Sequence, residues 1–192
     1  MSAANQLPAA MTVAQFLAWT PPYGGDRWEL VDGMPRAMAP ASPRHGAILS
    51  ETDRLIGNHL LAERPACRTV VEPGVRPRLQ ADENVRVPDL GITCAPWGGD
   101  EGVLAAPLVL LEILSPSNVA KTKANVWSYT TIPSVAEILV LYSTEIRAVL
   151  HRRQDDGHWP LNPLPMVAGD KVTLESIGFT APLVAFYRTS GL

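Results

Sequence analysis

The sequence lacks a long apolar run, a cysteine motif and any excess of positive charge. No stretch is apolar over the roughly 20 residues that cross a membrane, and no charged start with an apolar segment resembles an export signal. The two cysteines, Cys67 and Cys94, have neither metal-ligand spacing nor a redox motif. These absences predict a cytoplasmic protein whose two cysteines are reduced residues of the core.

Positive charge is scarce, and lysine contributes little of it. The formal net charge is −3, which argues against a protein that coats nucleic acid through general basicity. The only lysines in the sequence are Lys121, Lys123 and Lys171. Any contact with DNA must therefore come from a local patch.

Apolar residues are plentiful. They make up 46% of the 192 positions, which is enough for one domain with a sizeable core. Small and polar residues at the start of the chain predict a flexible tail over 1–11. We expect a single domain over 12–192.

Two apolar segments each carry a single carboxylate. Asp89 lies in the segment 85–94 and Glu112 in the segment 108–114, and both segments have the Val, Ile and Leu content of buried strands. A buried carboxylate is costly unless it is paired or bound to a metal. Because side chains alternate along a strand, neighbouring strands could bring both acids to one face, where they would suit a hard cation such as Mg²⁺. The alternative is structural: Asp89 caps a bulge and Glu112 pairs with an arginine.

Three further side chains are candidates for binding a substrate near these acids. His45 lies near the start of a helix predicted from Ser42 to about Glu63, where it could contact a metal or phosphate, or bond a backbone carbonyl. Arg76 and Arg78 are two residues apart on a predicted strand and would share one face. They could bind phosphate, or they could lie on a solvated strand edge.

The remaining pattern predicts a mixed α/β (α+β) fold. A capping box predicts a helix over 13–19, and an Asp-Gly turn predicts a hairpin over 28–37. A second hairpin is expected over 69–94. A helix over 119–131, between the apolar strands 108–114 and 136–142, implies a parallel pair with a right-handed crossover. Further strands are predicted at 146–150, 159–164 and 171–174, with a helical turn at 182–187; the glycine-rich loop 95–107 could be a lid or a partner contact.

Five short blocks resemble a known family. They read Trp-Glu-Leu-Val-Asp-Gly at 28–33, Ala-Ser-Pro-Arg-His at 41–45, Val-Pro-Asp at 87–89, Glu-Ile-Leu-Ser-Pro-Ser at 112–117 and Tyr-Thr-Thr-Ile-Pro-Ser-Val at 129–135. Together, over roughly residues 12–187, they resemble the Uma-two family of putative endonucleases in the PD-(D/E)XK, or restriction-endonuclease-like, superfamily. The expected fold is therefore restriction-endonuclease-like: a mixed central β-sheet flanked by helices, with additional N-terminal and C-terminal β-hairpins.

The resemblance also implies roles for particular residues. Pro88-Asp89 matches the Pro-Asp of the superfamily motif, and Glu112 matches its second acid. These two would bind Mg²⁺, or Mn²⁺, together with the backbone carbonyl of Ile113. Glu29 matches the family's early acidic residue, which belongs near the same site. The metal would lower the pKa of a bound water for hydrolysis of a DNA phosphodiester.

The sequence departs from this pattern where lysine is expected. Leu114 stands two residues after the second acid, and Asn125 stands four residues before Tyr129, where the family commonly carries lysine. Lys121 is one helical turn before Asn125 on the same face and could reach the metal, whereas Lys123 points about half a turn away. The expected site then comprises Glu29, Asp89, Glu112 and Lys121, with Asn125 near the substrate.

Three functions are compatible with these residues. The first is a magnesium-dependent DNA endonuclease. The second is a catalytically degenerate nuclease fold that binds nucleic acid or metal without cutting. The third is an interaction protein whose acids are structural. A homodimer is compatible with each of them.

Overall fold

A six-stranded mixed sheet forms the centre of the described structure, a computed structural model that describes residues 10–21, 27–98 and 102–192. β5 and β6 are parallel, and the other neighbouring pairs are antiparallel. In spatial order the strands are β3 (Arg68–Val71), β4 (Leu90–Thr93), β5 (Pro107–Leu114), β6 (Glu137–Tyr142), β7 (Arg147–Arg152) and β8 (Leu164–Val167).

Helices and two separate hairpins surround this sheet. The helices are α1 (Val13–Leu17), α2 (Pro43–Glu63) and α3 (Val119–Tyr129). One hairpin joins β1 (Trp28–Val31) to β2 (Met34–Ala37), and the other joins β9 (Lys171–Leu174) to β10 (Phe179–Pro182). Short 3-10 turns at Glu175–Ile177 and Leu183–Tyr187 complete the described elements. The expected mixed sheet, flanking helices and terminal hairpins are thus confirmed.

The strand β5 separates two apolar clusters. Leu111 and Ile113 face the larger cluster, which includes Ile48 of α2. Leu110 faces the opposite cluster, which includes Tyr129 of α3. Because side chains alternate along a strand, Glu112 shares the face of Leu110 and points toward α3.

The connection between β5 and β6 confirms the predicted parallel pair and its crossover helix, while the right-handedness of the crossover stays a prediction. α3 links the two parallel strands, whose register pairs Leu111 with Leu139. Parallel strands need such a crossover, because a tight turn can join only antiparallel neighbours. This connection lays α3 along the face of the sheet that carries Glu112.

The antiparallel pairing predicted over 69–94 is confirmed, because β3 pairs with β4 from Arg68↔Thr93 to Val71↔Leu90, but the two strands are shorter than expected. β3 ends at Val71 and β4 begins at Leu90, while the chain between them forms only the isolated bridges Leu30↔Val85 and Val75↔Arg86. Prolines interrupt this segment, and proline has no N–H for a ladder. Asp89 therefore lies immediately before a strand rather than in the middle of one.

Several other boundaries differ from the expected ones. The capping box at Thr12 and Gln15 is confirmed, but α1 ends at Leu17, and α3 ends at Tyr129. β8 begins where the strand predicted at 159–164 was expected to end, and β10 was not predicted. Residues 1–9 of the predicted tail and 99–101 of the glycine-rich loop lie outside the described residues. Met11, also in the predicted tail, donates its N–H to the carbonyl of Gly33 at 2.8 Å.

The prediction of two reduced cysteines is wrong, because Cys67 and Cys94 form a disulfide. Arg68 and Thr93 are the outermost paired residues of β3 and β4. Cys67 and Cys94 are the next residue on each strand, so they face each other at the end of the ladder. Cysteine spacing in the sequence gave no sign of this pairing. Among the described residues, no helix has the length and apolar character needed to cross a membrane, and the cytoplasmic location stays a prediction.

Candidate active site

Asp89 and Glu112 lie opposite each other at the end of two neighbouring strands. The ladder pairs Leu90 with Leu111, and one further step along it places Asp89 across from Glu112. Both carboxylates are buried, and both line one cavity of about 210 Å³. Burial and, secondarily, the charge of Asp89 raise the pKa of Glu112 to about 8. The charge of Asp89 therefore disfavours ionisation of Glu112.

Two contacts fix the position of Asp89. The backbone N–H of Ile113 donates to Oδ2 at 2.6 Å. Nε2 of His45, in the first turn of α2, lies 3.0 Å from Oδ1. His45 is buried and lines the cavity, so it contacts the acid rather than the backbone carbonyl that the alternative interpretation required.

Glu112 receives two hydrogen bonds from α3. The hydroxyl of Tyr129 donates to Oε1 at 2.6 Å, and Nδ2 of Asn125 donates to the same oxygen at 3.1 Å. These bonds favour the ionised form of Glu112 and oppose the effect of burial on its pKa. Burial, followed by the charge of Glu112, raises the pKa of Tyr129 well above its ordinary value.

These contacts correct the prediction for Asn125. Its side chain is fully buried on the inner face of α3 and bonds Glu112, so it holds an acid instead of contacting a substrate. Tyr129 was missed as a site residue. Its spacing of four residues from Asn125 was the available signal, because residues i and i+4 share a helical face.

Lys121 and Glu29 form an ion pair beside the cavity. Nζ of Lys121 lies 3.3 Å from Oε1 of Glu29, and Lys121 lines the cavity with the two acids. Glu29 is buried in β1 and is set behind Lys121 instead of lining the cavity itself in the described structure. Its Oε2 has no hydrogen-bond partner among the described residues. The direction of Lys121 agrees with the expectation from helical spacing, and its role stays a prediction.

Arg76 and Arg78 are not brought to this site in the described part of the chain. Arg76 pairs with Asp82 and lines a different cavity beside α1. The backbone N–H of Arg78 donates to the hydroxyl of Thr131 at 3.0 Å. The strand that was expected to align the two arginines does not form, so the predicted phosphate contact loses its geometric basis.

The donor set at the cavity fits a cation that takes few protein ligands. Asp89 and Glu112 supply carboxylate oxygens to the cavity. Ile113 does not line the cavity in the described structure, and its carbonyl accepts a 3.2 Å bond from Nδ2 of Asn118 but retains a second lone pair. Among the described residues, no group of three or more His, Cys, Asp or Glu side chains is arranged to hold a metal ion. Mg²⁺ suits such a site, because it keeps several waters and binds through one or two carboxylates.

The mixed sheet, the helices on both of its faces and the paired acids define the restriction-endonuclease-like class of folds. A crystal structure described as "a putative nuclease belonging to DUF820", from Anabaena variabilis, has a TM-score of 0.74 and 18% identity, and the match covers 93% of this chain and 98% of that one. A Synechocystis sp. protein named "Uncharacterized protein slr1290" is 27% identical over 165 residues, which is 85% of this chain and 84% of that protein. The model of the Uma2 family, described as "Putative restriction endonuclease", matches residues 13–183. The chain belongs to this family, and the resemblance seen in the sequence is confirmed.

Proposed function

We propose that the protein is a magnesium-dependent endonuclease that hydrolyses phosphodiester bonds of DNA. The observation that carries this proposal is the meeting of Asp89 and Glu112 in one cavity, with the ammonium of Lys121 on its wall. Asp89, Glu112 and the carbonyl of Ile113 would hold Mg²⁺, with Mn²⁺ as a substitute. When bound, such an ion polarises a phosphoryl oxygen and lowers the pKa of a water.

The residues around the acids have complementary tasks in this proposal. Ile113 N–H and His45 orient Asp89, while Tyr129 and Asn125 favour the ionised form of Glu112. Lys121 supplies positive charge next to the phosphate oxygens, where negative charge grows in the transition state. Its pairing with Glu29 keeps the ammonium at the cavity in the absence of substrate.

A second function, binding without cleavage, is favoured by one observation. The two positions at which the family's lysine is expected hold Leu114 and Asn125, and Lys121 is already engaged by Glu29. A protein with this site would still bind metal and nucleic acid. Calorimetric titration with Mg²⁺, compared between the wild type and Glu112→Gln, distinguishes metal binding from a purely structural pair of acids.

A cleavage assay with matched lysine variants tests the first function. We expect Lys121→Ala to slow cleavage of plasmid DNA in Mg²⁺ by about a hundredfold, the range seen when one charge-stabilising group is removed. Magnesium affinity should stay unchanged, because lysine is not a ligand. Lys123→Ala is the control, since Lys123 lies on the exposed face of the same helix. Equal cleavage rates for Lys121→Ala and Lys123→Ala would show that Lys121 has no role in the mechanism. If the wild type cuts no DNA in Mg²⁺ or Mn²⁺, the second function, binding of nucleic acid without cleavage, is favoured.

A further inference from the structure

Three cavities lie next to one another in a row that leads away from the paired acids. The acid cavity shares Arg27, Glu72 and Val87 with a second cavity of about 200 Å³. The second shares Gly74 and Gly102 with a third cavity of about 610 Å³. The third alone has the volume of a typical site for a small organic ligand. We call the three together the acid-to-Trp97 groove.

Aromatic rings and arginines recur along this groove. Phe16 and Trp28 line its middle part. Trp97 and Arg68 line its far end, where the Arg68 guanidinium carbon lies 3.9 Å from the centroid of the Trp97 ring. Trp97 is 79% exposed, so much of its ring remains free for a ligand. An accessible aromatic ring beside a cation is a combination that favours a stacked base next to a phosphate.

The far end of the groove is held in place by the backbone. Nη1 of Arg68 donates to the carbonyl of Ala95 at 2.6 Å, two residues before Trp97. The disulfide between Cys67 and Cys94 ties the residues next to this contact. The exposed ring therefore projects from an anchored segment, which lowers the entropy that a ligand must remove on binding.

Asp89 and Glu112 carry negative charge at the acid end of the groove, whereas the charges along the rest of it are compatible with a polyanion. The acidic side chain in its middle, Glu72, is paired with Arg27. Arg68 bonds only a carbonyl and stacks on a ring in the described structure, and Lys121 adds an ammonium at the acid end. Nε1 of Trp28 and Nε of Arg68 are buried N–H donors without a hydrogen-bond partner among the described residues, and both residues line the groove.

We propose that the acid-to-Trp97 groove binds single-stranded nucleic acid, with one base stacked on Trp97 and the backbone following the arginines toward the acids. The assignment of the acid end to phosphodiester chemistry rests on the function proposed above. Stacking on a protein ring requires an unpaired base, because the bases of a duplex are covered by their neighbours. The preferred substrate class would then contain a single-stranded segment beside the bond that is cut.

Fluorescence anisotropy of a labelled oligothymidylate of about 20 nucleotides, longer than typical single-stranded binding sites, tests the groove. The measurement is made in EDTA, so that no cleavage occurs. We expect Trp97→Ala to weaken binding by about tenfold, within the effect of losing one base–aromatic stack. Trp97→Phe should retain most of the affinity, because it keeps an aromatic ring. A duplex of the same length should bind more weakly than the single strand.

Trp127→Ala is the matched control, since this tryptophan is 58% exposed on α3 and lines none of the three cavities in the described structure. Thermal melts establish that each variant is folded. Equal affinity of wild type and Trp97→Ala, or equal losses at Trp97 and Trp127, would overturn the proposal. Trp97-dependent binding by a protein that cuts no DNA would leave the groove standing and remove the endonuclease function. Normal cleavage of DNA without Trp97-dependent binding would support the endonuclease function and overturn the proposed groove.

Discussion

At the scale of single residues, two buried acids of this protein have opposite environments. Asp89 receives hydrogen bonds but faces a second acid across the ladder. Glu137 of β6 accepts bonds from the side chain of Arg152 and from the backbone and hydroxyl of Ser176, with no opposing carboxylate bonded to it in the described structure. The same chemical change, from acid to amide, should therefore have different consequences at the two positions.

We expect Asp89→Asn to leave the metal-free protein as stable as the wild type, or more stable. The amide oxygen can accept from Ile113 N–H, the amide keeps a polar group within reach of Nε2 of His45, and the repulsion with Glu112 is removed. Glu137→Gln should lower the free energy of unfolding by about 2 kcal/mol, because its bonds to a cation and to N–H donors are weakened. Urea unfolding in EDTA measures both. Clear destabilisation by Asp89→Asn would indicate a structural acid and count against the proposed metal site.

A lysine at position 125 tests the departure from the family pattern. Nδ2 of Asn125 lies 3.1 Å from Oε1 of Glu112, so Asn125→Lys would bring a cation to the second acid. We expect this variant to cleave DNA faster than the wild type, because it restores charge that stabilises the transition state. Asn125→Met, which has a long side chain without the charge, is the control. If both variants cleave DNA faster than the wild type, or if neither does, the added positive charge does not determine the cleavage rate.

At the scale of secondary-structure elements, Tyr187 links two strands of the sheet. Its hydroxyl accepts from the N–H of Tyr142 in β6 at 3.1 Å and donates to the carbonyl of Arg147 in β7 at 2.7 Å. Burial raises the pKa of Tyr187 from 10.0 to about 12. The folded chain therefore keeps a proton that the unfolded chain loses above pH 10.0.

The stability that this tyrosine contributes should be complete below about pH 10 and should fall as the pH rises through about 12. Tyr187→Phe cannot ionise, but it leaves a backbone N–H and carbonyl without a partner, at a cost of about 1 kcal/mol near neutral pH. We expect the stability advantage of the wild type over this variant to shrink between pH 10.0 and about 12 in urea unfolding. A constant difference across that interval would contradict the assigned cause.

The helices were easier to predict than the strands, because their signals are local. Thr12 with Gln15, and Ser42 with Pro43, begin helices within one turn of the signal itself. The segment between β3 and β4 keeps one bridge of the predicted hairpin, Val75↔Arg86, and forms another to β1 through Leu30↔Val85. Because β1 lies far away in the sequence, no local pattern could show where the strands of this hairpin would end. The same limit applies to the site. Asp89 and Glu112 stood out as acids in apolar segments, whereas the disulfide and the displacement of Arg76 depended on pairings across the fold.

At the scale of the whole molecule, the sheet has an edge that resists further pairing. Pro165 of β8 has no N–H, while the N–H and carbonyl of Val167 are both bonded to Asp170, at 2.8 and 3.0 Å. Leu164 and Val167 are exposed, so without this protection their apolar side chains would favour pairing of the edge with another chain. A homodimer of this protein stays a prediction, and the protected edge argues that it would not form through β8.

Removing that protection should produce self-association. In a variant with Pro165→Thr and Asp170→Ala, the edge regains two free N–H groups, at positions 165 and 167, so we expect oligomers that grow with concentration in sedimentation velocity. Asp155→Ala, in an exposed turn, is the control for lost negative charge. If the double variant sediments like the wild type at every concentration, the edge is not limiting association.

The ion pair between Lys121 and Glu29 joins two parts of the site that lie far apart in the sequence, and such parts are expected to fold at different times. Asp89, Glu112, Asn125 and Tyr129 belong to consecutive elements, and their contacts close short loops of the chain. Glu29 belongs to a hairpin near the start of the chain, which meets the rest through the bridge between Leu30 and Val85. Contacts between distant parts of a sequence require a larger loss of entropy and tend to form later. We therefore expect the acids to assemble with β5 and α3 before the N-terminal hairpin docks and brings Glu29 to Lys121.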